Sequence, residues 1–271
     1  MSSIQPYVAR LFVYPIKSLD RVECDRVTIL ESGALKGDRT WAIVDSDGKF
    51  VNGKNNQKIH ALRSRFDLAT NELTIQVQGT EQSNTFNLTD SPSALCDWLK
   101  QYFGFDLEIR QNLQLGFPDD TVSPGATIVS TATLKAIAAW YPEISLANIR
   151  RRFRANIEIA GVPAFWEDKL FATTGSTVKF KIGEVEFMGV NPCQRCIVVT
   201  RNPDTGIGNP QFSKIFTRKR QETLPKWTER SRFNHFFRLA VNTRLSPTEA
   251  GKAIQTGDRL ELLDQSPNLS D

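Results

Sequence analysis

A chain of 271 residues, 40% hydrophobic and 24% charged, is long enough to bury a core and has an ordinary globular composition. No run approaches the length of apolar sequence that a membrane-spanning helix needs, so no membrane association is expected. The net charge of +4 is modest and no broad basic stripe is interleaved with aromatics, which argues against nucleic acid as a partner.

The first third reads as β. Tyr7–Val13 is a short apolar-rich strand, and residues 21–30 alternate through Val22, Cys24, Val27 and Ile29. Residues 41–44 form another apolar run, closed by the hairpin signal Asp45-Ser46-Asp47-Gly48. Residues 66–69, 72–77 and 83–88 continue the pattern. Short strands separated by turn residues suggest a barrel or sandwich rather than repeated βαβ units.

Two helices are predicted, over residues 91–102 with Asp90 or Ser91 as cap, and over 130–140 with Ser130 or Thr131 as cap. Strands are then expected at 155–159, 177–182, 185–190 and 197–200, with a closing strand in 257–263. Residues 202–232 are polar and read as a long surface loop or short helix.

The first residues, Met1 to Pro6, show no basic region followed by an apolar core, so the expected compartment is the cytoplasm. There the four cysteines, Cys24, Cys96, Cys193 and Cys196, should be reduced rather than paired. His60 and His235 are far apart, which leaves a zinc site short of ligands, and the plant-type iron–sulfur spacing is missing.

Cys193-Gln194-Arg195-Cys196 has the spacing of a dithiol motif, but that chemistry needs a helix after the motif. The following Ile197-Val198-Val199-Thr200 reads as a strand. Two buried, inert cysteines are a second reading. The favoured one is a single thiolate beside Arg195, whose cation favours the ionised sulfur and suits a soft redox metal. The run Arg150-Arg151-Arg152-Phe153-Arg154 leads into a strand and can aim at one anionic ligand. The run Arg218-Lys219-Arg220 reads as a solvated face.

Four stretches together resemble MOSC-domain proteins, in particular the mitochondrial amidoxime reducing component and its bacterial relatives. They are Val13-Tyr14-Pro15-Ile16-Lys17-Ser18, the run from Gly33 through Gly37-Asp38-Arg39-Thr40-Trp41, Phe153-Arg154-Ala155-Asn156-Ile157, and the run from Met188 through Asn191-Pro192-Cys193-Gln194-Arg195-Cys196 to Thr200 with Asn202-Pro203-Asp204-Thr205-Gly206. The resemblance covers nearly the whole chain. It implies an α+β, β-rich fold: an N-terminal β domain (residues 1–100) packed on a MOSC β-barrel with a few helices (101–266), and a disordered tail (267–271).

It also implies the molybdenum cofactor, a phosphate-bearing pterin dithiolene, held in the cleft between the two domains. Cys196 is then the protein ligand to molybdenum and Cys193 a neighbour. Lys17, Ser18 and Arg39 would contact the cofactor and its phosphate, Arg154 and Asn156 would hold the pterin, Arg195 would lie beside the ligand, and Ser130 would sit near the phosphate end. Read as residues alone, Lys17 would be a solvated lysine, Arg39 a turn residue in a salt bridge, Arg154 a partner of Glu158, and Asn156 a satisfier of backbone groups.

The implied activity is reduction of N-hydroxylated small molecules, with electrons from a separate ferredoxin-like, flavin or cytochrome reductase partner. Asp204 is a candidate proton donor, although a turn aspartate is the plainer reading. A cofactor-carrying or sulfurating role is the alternative.

Overall fold

The computed structural model describes residues 5–263, so the tail expected at 267–271 lies outside the described residues. In chain order the strands are β1 (Tyr7–Val13), β2 (Val22–Cys24), β3 (Arg26–Thr28), β4 (Trp41–Asp45), β5 (Leu62–Asp67), β6 (Glu72–Val77), β7 (Ser83–Asn87) and β8 (Leu107–Gln111). They continue as β9 (Ile128–Ser130), β10 (Ile157–Ala160), β11 (Val178–Ile182), β12 (Val185–Gln194), β13 (Arg238–Arg244), β14 (Ala253–Gln255) and β15 (Leu260–Leu262). The helices are α1 (Pro92–Phe103), α2 (Thr131–Ala138), α3 (Leu146–Phe153) and α4 (Phe212–Glu222).

This is a β-rich α+β fold. Eight strands form one mixed sheet in the order β15-β11-β12-β13-β9-β10-β1-β2, with β9 and β10 parallel and the other neighbours antiparallel. The early strands β1 and β2 therefore extend the sheet that the later part of the chain builds. The expected closed barrel does not form. An isolated bridge between Tyr7 and Arg259, flanked by Val8 N–H to the Asp258 carbonyl (2.8 Å), brings β15 up to the start of β1. Both terminal strands, β2 and β15, are three residues long, too short to carry a continuous ladder across the seam.

Three apolar clusters fill the molecule. Val8, Leu11, Ile157, Phe180 and Phe187 lie in the core of the large sheet. The sheet β5-β6-β7 and the pair β4-β8 pack with α1 around Leu73, Ile75 and Leu99. The faces of α2, α3 and α4 meet around Ile137, Ile149, Phe153, Phe212 and Phe216. α1 begins at Pro92, whose missing N–H costs nothing in a first turn, and stops at Gly104 in the left-handed conformation.

Several expectations are corrected. The basic run at 150–154 does not open a strand: it is the last turn of α3, and Arg154 is its left-handed cap. Ser145 caps that helix by accepting from Asn148 N–H, and Ile149 and Phe153 bury one face of it. The stretch 202–232 contains α4, where Phe212, Phe216 and Arg220 recur at four-residue spacing and are all buried. Arg220 is not on a solvated face; it is 1% exposed and paired with Asp168. Residues 197–200 are a single 3-10 turn. The β12–β13 ladder ends at Gln194 opposite Arg238, and the next N–H, of Arg195, goes to the Phe237 carbonyl. The chain then turns, and Thr200 Oγ1 closes the turn on the Ile197 carbonyl at 2.7 Å.

Candidate functional site

The large sheet, the loop after β1 and the loop before α4 enclose a cavity of about 1240 Å³. Lys17, Ser18 and Arg39 reach it from the early strands; Arg154, Asn156, Arg195 and Cys196 reach it from the later ones. Twelve lysine and arginine side chains line it against three aspartates, on a chain whose total excess is +4. Among the described residues seven buried side-chain nitrogen or oxygen atoms lack a partner, and four are the Nε atoms of cavity residues Arg63, Arg195, Arg201 and Arg238. Burying cations without counter-charges is costly, so such a wall is complete only with an anion.

Backbone geometry marks the same place. Six residues other than glycine adopt a positive φ among the described residues, and Ser18 (74°), Arg39 (50°) and Arg154 (52°) all face the cavity. Local strain of this kind collects where side chains must be aimed. Tyr14, at the end of β1, organises the aim. Its buried ring carries the guanidinium of Arg154 at 4.0 Å and that of Arg39 at 5.4 Å. Asp38 pairs with Arg39 and accepts the Tyr14 N–H at 2.8 Å. Burial pushes the Arg154 guanidinium below its ordinary value, and among the described residues no carboxylate lies within ion-pair distance of it.

Lys17 is buried, 7% exposed, and donates to the Phe117 carbonyl (2.9 Å) and to Asp119 (2.7 Å). Burial lowers its ammonium pKa, with Asp119 opposing that shift. Asn156 lines the cavity, yet its amide serves the fold: Nδ2 donates to the Phe12 carbonyl, and Oδ1 accepts from both Thr127 N–H and Oγ1. Ser130 is fully buried and outside the cavity lining; its hydroxyl caps α2 by accepting from Thr133 N–H at 3.0 Å. The expectation that Ser130 contacts a ligand is therefore corrected, because its acceptor is committed to the helix. Arg154 does not pair with Glu158 either. Arg150 does, through two bonds of 2.8 Å.

The two cysteines separate. Cys193 lies in β12 and its sulfur accepts from Arg195 at 2.9 Å. Arg195 also donates to the Phe153 carbonyl, which ties the cysteine segment to the end of α3. Cys196 precedes the 3-10 turn and is exposed. Asp204 is held by Arg151 (2.5 Å) and lies 3.7 Å from Arg63, so it orients cations.

Sequence reading missed a second tier of cavity residues. Asp20 accepts from Arg63 (3.2 Å) and from Ser64 N–H, and burial pushes its carboxyl up. His60 sits in a notch where a Cβ at Gly53 would fall 2.7 Å from its Nε2, and burial lowers its imidazole. Arg201, Arg232 and Arg238 complete the wall. None of these stands in a recognisable motif: Asp20 and Arg201 lie in loops, His60 and Arg232 in short 3-10 turns, and Arg238 at a strand start.

A cation-walled cleft with one free thiol at its edge defines an anion-holding site that can also offer sulfur to a metal. Residues 5–104 match the MOSC N-terminal beta barrel domain and residues 125–261 the MOSC domain, and the chain belongs to the MOSC-domain family. It is 28% identical over 242 residues to a molybdenum cofactor sulfurase of Drosophila grimshawi, covering 76% of this chain and 30% of that protein. It is 26% identical over 238 residues to mitochondrial amidoxime reducing component 2 of Bos taurus, covering 74% and 68%, and 25% identical over 240 residues to human mitochondrial amidoxime-reducing component 1, covering 74% and 67%. The chain thus spans under a third of the sulfurase relative's length. Among the described residues no helix is long and apolar enough to cross a membrane.

Proposed function

We propose that the cavity holds the molybdenum cofactor and that the protein reduces N-hydroxylated small molecules there, with Cys196 as the thiolate offered to the metal. The observation that carries this reading is the convergence of twelve lysine and arginine side chains, against three aspartates, on one cavity whose wall also exposes the Cys196 thiol. The donor set fits. The cationic lining suits a phosphate and the acceptor-rich edge of a pterin, and one soft thiolate suits a metal whose other ligands arrive with the cofactor.

When bound, the cofactor supplies two-electron removal of oxygen from an N–O bond. The chain's own residues do the rest. Lys17 and Arg39 would hold the anionic end, and Arg154, braced on Tyr14, would hold the pterin. Arg195 fixes Cys193 and keeps the segment carrying Cys196 against α3. Asp20, whose carboxyl burial pushes up, orients Arg63 at the cavity wall. We assign the electrons to a separate donor protein and the activity to the cytoplasm.

Matches to proteins named molybdenum cofactor sulfurase support a second reading, in which this fold binds or passes on the cofactor without reducing substrates. Metal and pterin analysis of the purified protein, followed by reduction of benzamidoxime with an artificial electron donor, separates the two. Stoichiometric cofactor with turnover supports the reductase; stoichiometric cofactor without turnover defeats it in favour of the carrier.

A further inference from the structure

We propose that the cavity contains a second oxyanion subsite, built by Arg238 and Arg232, which takes a carboxylate or phosphate group of a bound small molecule. Arg238 stands at the first position of β13, opposite Gln194 and beside the cysteine segment. One terminal nitrogen donates to the Pro192 carbonyl at 3.1 Å and the other to Asn234 Oδ1 at 2.9 Å. Those neutral acceptors fix the fork in place and leave its charge uncompensated. Its Nε is buried with no partner. Arg232 is fixed in the same manner by the Ala172 and Thr173 carbonyls, each at 3.1 Å. Neither residue has a carboxylate within ion-pair distance among the described residues.

Arg232 and Arg238 both line the cavity, and two guanidinium groups facing one space repel one another. Burial depresses the Arg238 pKa, and Arg232 depresses it further. Lys17 is anchored instead on the Phe117 carbonyl and Asp119, so the two basic groups share no hydrogen-bond partner. A second anionic group on a ligand anchored at Lys17 supplies Arg238 and Arg232 with the counter-charge they lack. The rigid planar fork selects an oxyanion over a halide-like point charge. Asn234 and Ser231, both in the lining, add neutral polar groups around the pair.

The subsite does not depend on which reaction the cavity serves, and its test needs neither cofactor nor turnover. Calorimetric titration of the full chain with inorganic phosphate at low ionic strength should resolve two sites. Lys17→Gln should remove one, Arg238→Gln the other, and the double substitution both. Arg238→Lys, which keeps charge but not the fork, should weaken its site at least tenfold while the unfolding transition stays in place; this variant carries the test if Arg238→Gln does not fold. Benzoate as a second titrant distinguishes the sources: displacement of phosphate from the Arg238 site only assigns it to carboxylates, and failure to displace assigns it to phosphates. Unchanged stoichiometry and affinity in both Arg238 variants would overturn the inference. Loss at Arg238 with no loss at Lys17 would count against the cradle proposed above and leave this subsite standing.

Discussion

Arg39 and Arg154 meet over a single ring, that of Tyr14, at 5.4 Å and 4.0 Å from its centroid. The ring lets two like charges share one wall of the cavity. Each cation rests on the ring's negative face, an interaction of about 1 to 2 kcal/mol in a desolvated setting. Tyr14→Phe keeps the face and should leave phosphate affinity at the Lys17 site within about twofold. Tyr14→Leu removes it and should weaken that affinity roughly five- to thirtyfold. Titration calorimetry reads both, with thermal unfolding as the control for the lost core volume.

The unequal settings of the cysteines predict unequal consequences. Cys196 is exposed with its sulfur free for a metal, whereas Cys193 is engaged by Arg195 at 2.9 Å. Cys196→Ser should abolish benzamidoxime reduction and reduce bound molybdenum. Cys193→Ser should keep at least a third of both, because a serine hydroxyl still accepts from Arg195. Equal loss in both variants would point to dithiol chemistry instead. Metal content and turnover measured on the same preparations decide it.

Asp119 competes for the charge that an anion would use. The protein mass around the cavity mouth pushes its carboxyl up, but the Lys17 charge and hydrogen bond, with Arg39 and Lys54, prevail and hold it down to about 2. It is therefore ionised at neutral pH and partly neutralises Lys17. Its side chain is 73% exposed, so the pair is worth about 1 kcal/mol or less. Asp119→Asn should tighten phosphate binding by roughly two- to fivefold at low salt. The gain should vanish in the Lys17→Gln background.

Glu167 gives the molecule a pH-dependent stability. It is 1% exposed, Thr133 donates to one carboxylate oxygen at 2.9 Å, and the other oxygen has no partner. Burial, then the charge of Asp168, raises its pKa to about 7. A carboxyl whose pKa is higher in the folded state binds more protons there than in the unfolded chain. Its contribution is present in full below about 4.5 and is lost as pH rises through about 7. The span is worth roughly 3 kcal/mol. Denaturant unfolding should show Glu167→Gln flattening the stability profile between those pH values.

The parts of the fold legible in the sequence are those fixed by local chemistry. Tyr7–Val13 and Glu72–Val77 are strands as their patterns demand, and Ser91 and Ser130 sit at the caps of α1 and α2. Residues 197–200 have strand-forming side chains, but the ladder they would join has ended at Gln194, and tertiary pairing overrides propensity. Residues 21–30 look like one strand and split into two, because β2 pairs with β1 while β3 pairs with β14. In the cavity, the residues inside motifs were readable, whereas Arg238, Arg232 and Asp20 were not. Their meaning lies in which loops meet. Arg220 was misread because charge in a sequence does not disclose a buried partner 52 positions away.

β1 pairs with β10, and Tyr14 donates its hydroxyl to the Ala155 carbonyl across 141 positions of chain. A ribosome adding about 5 to 20 residues per second needs roughly 7 to 30 seconds to cover that distance. Through that interval the first strand waits with one edge open, and Lys17 has no opposite wall. The binding cleft is thus a late product of synthesis: α3 and β10 give Lys17 its facing wall, and the cleft is completed only once β12 and β13 have emerged. Slowing translation between the two strands should lengthen the period in which the nascent chain is open to proteases and chaperones, without changing the finished protein.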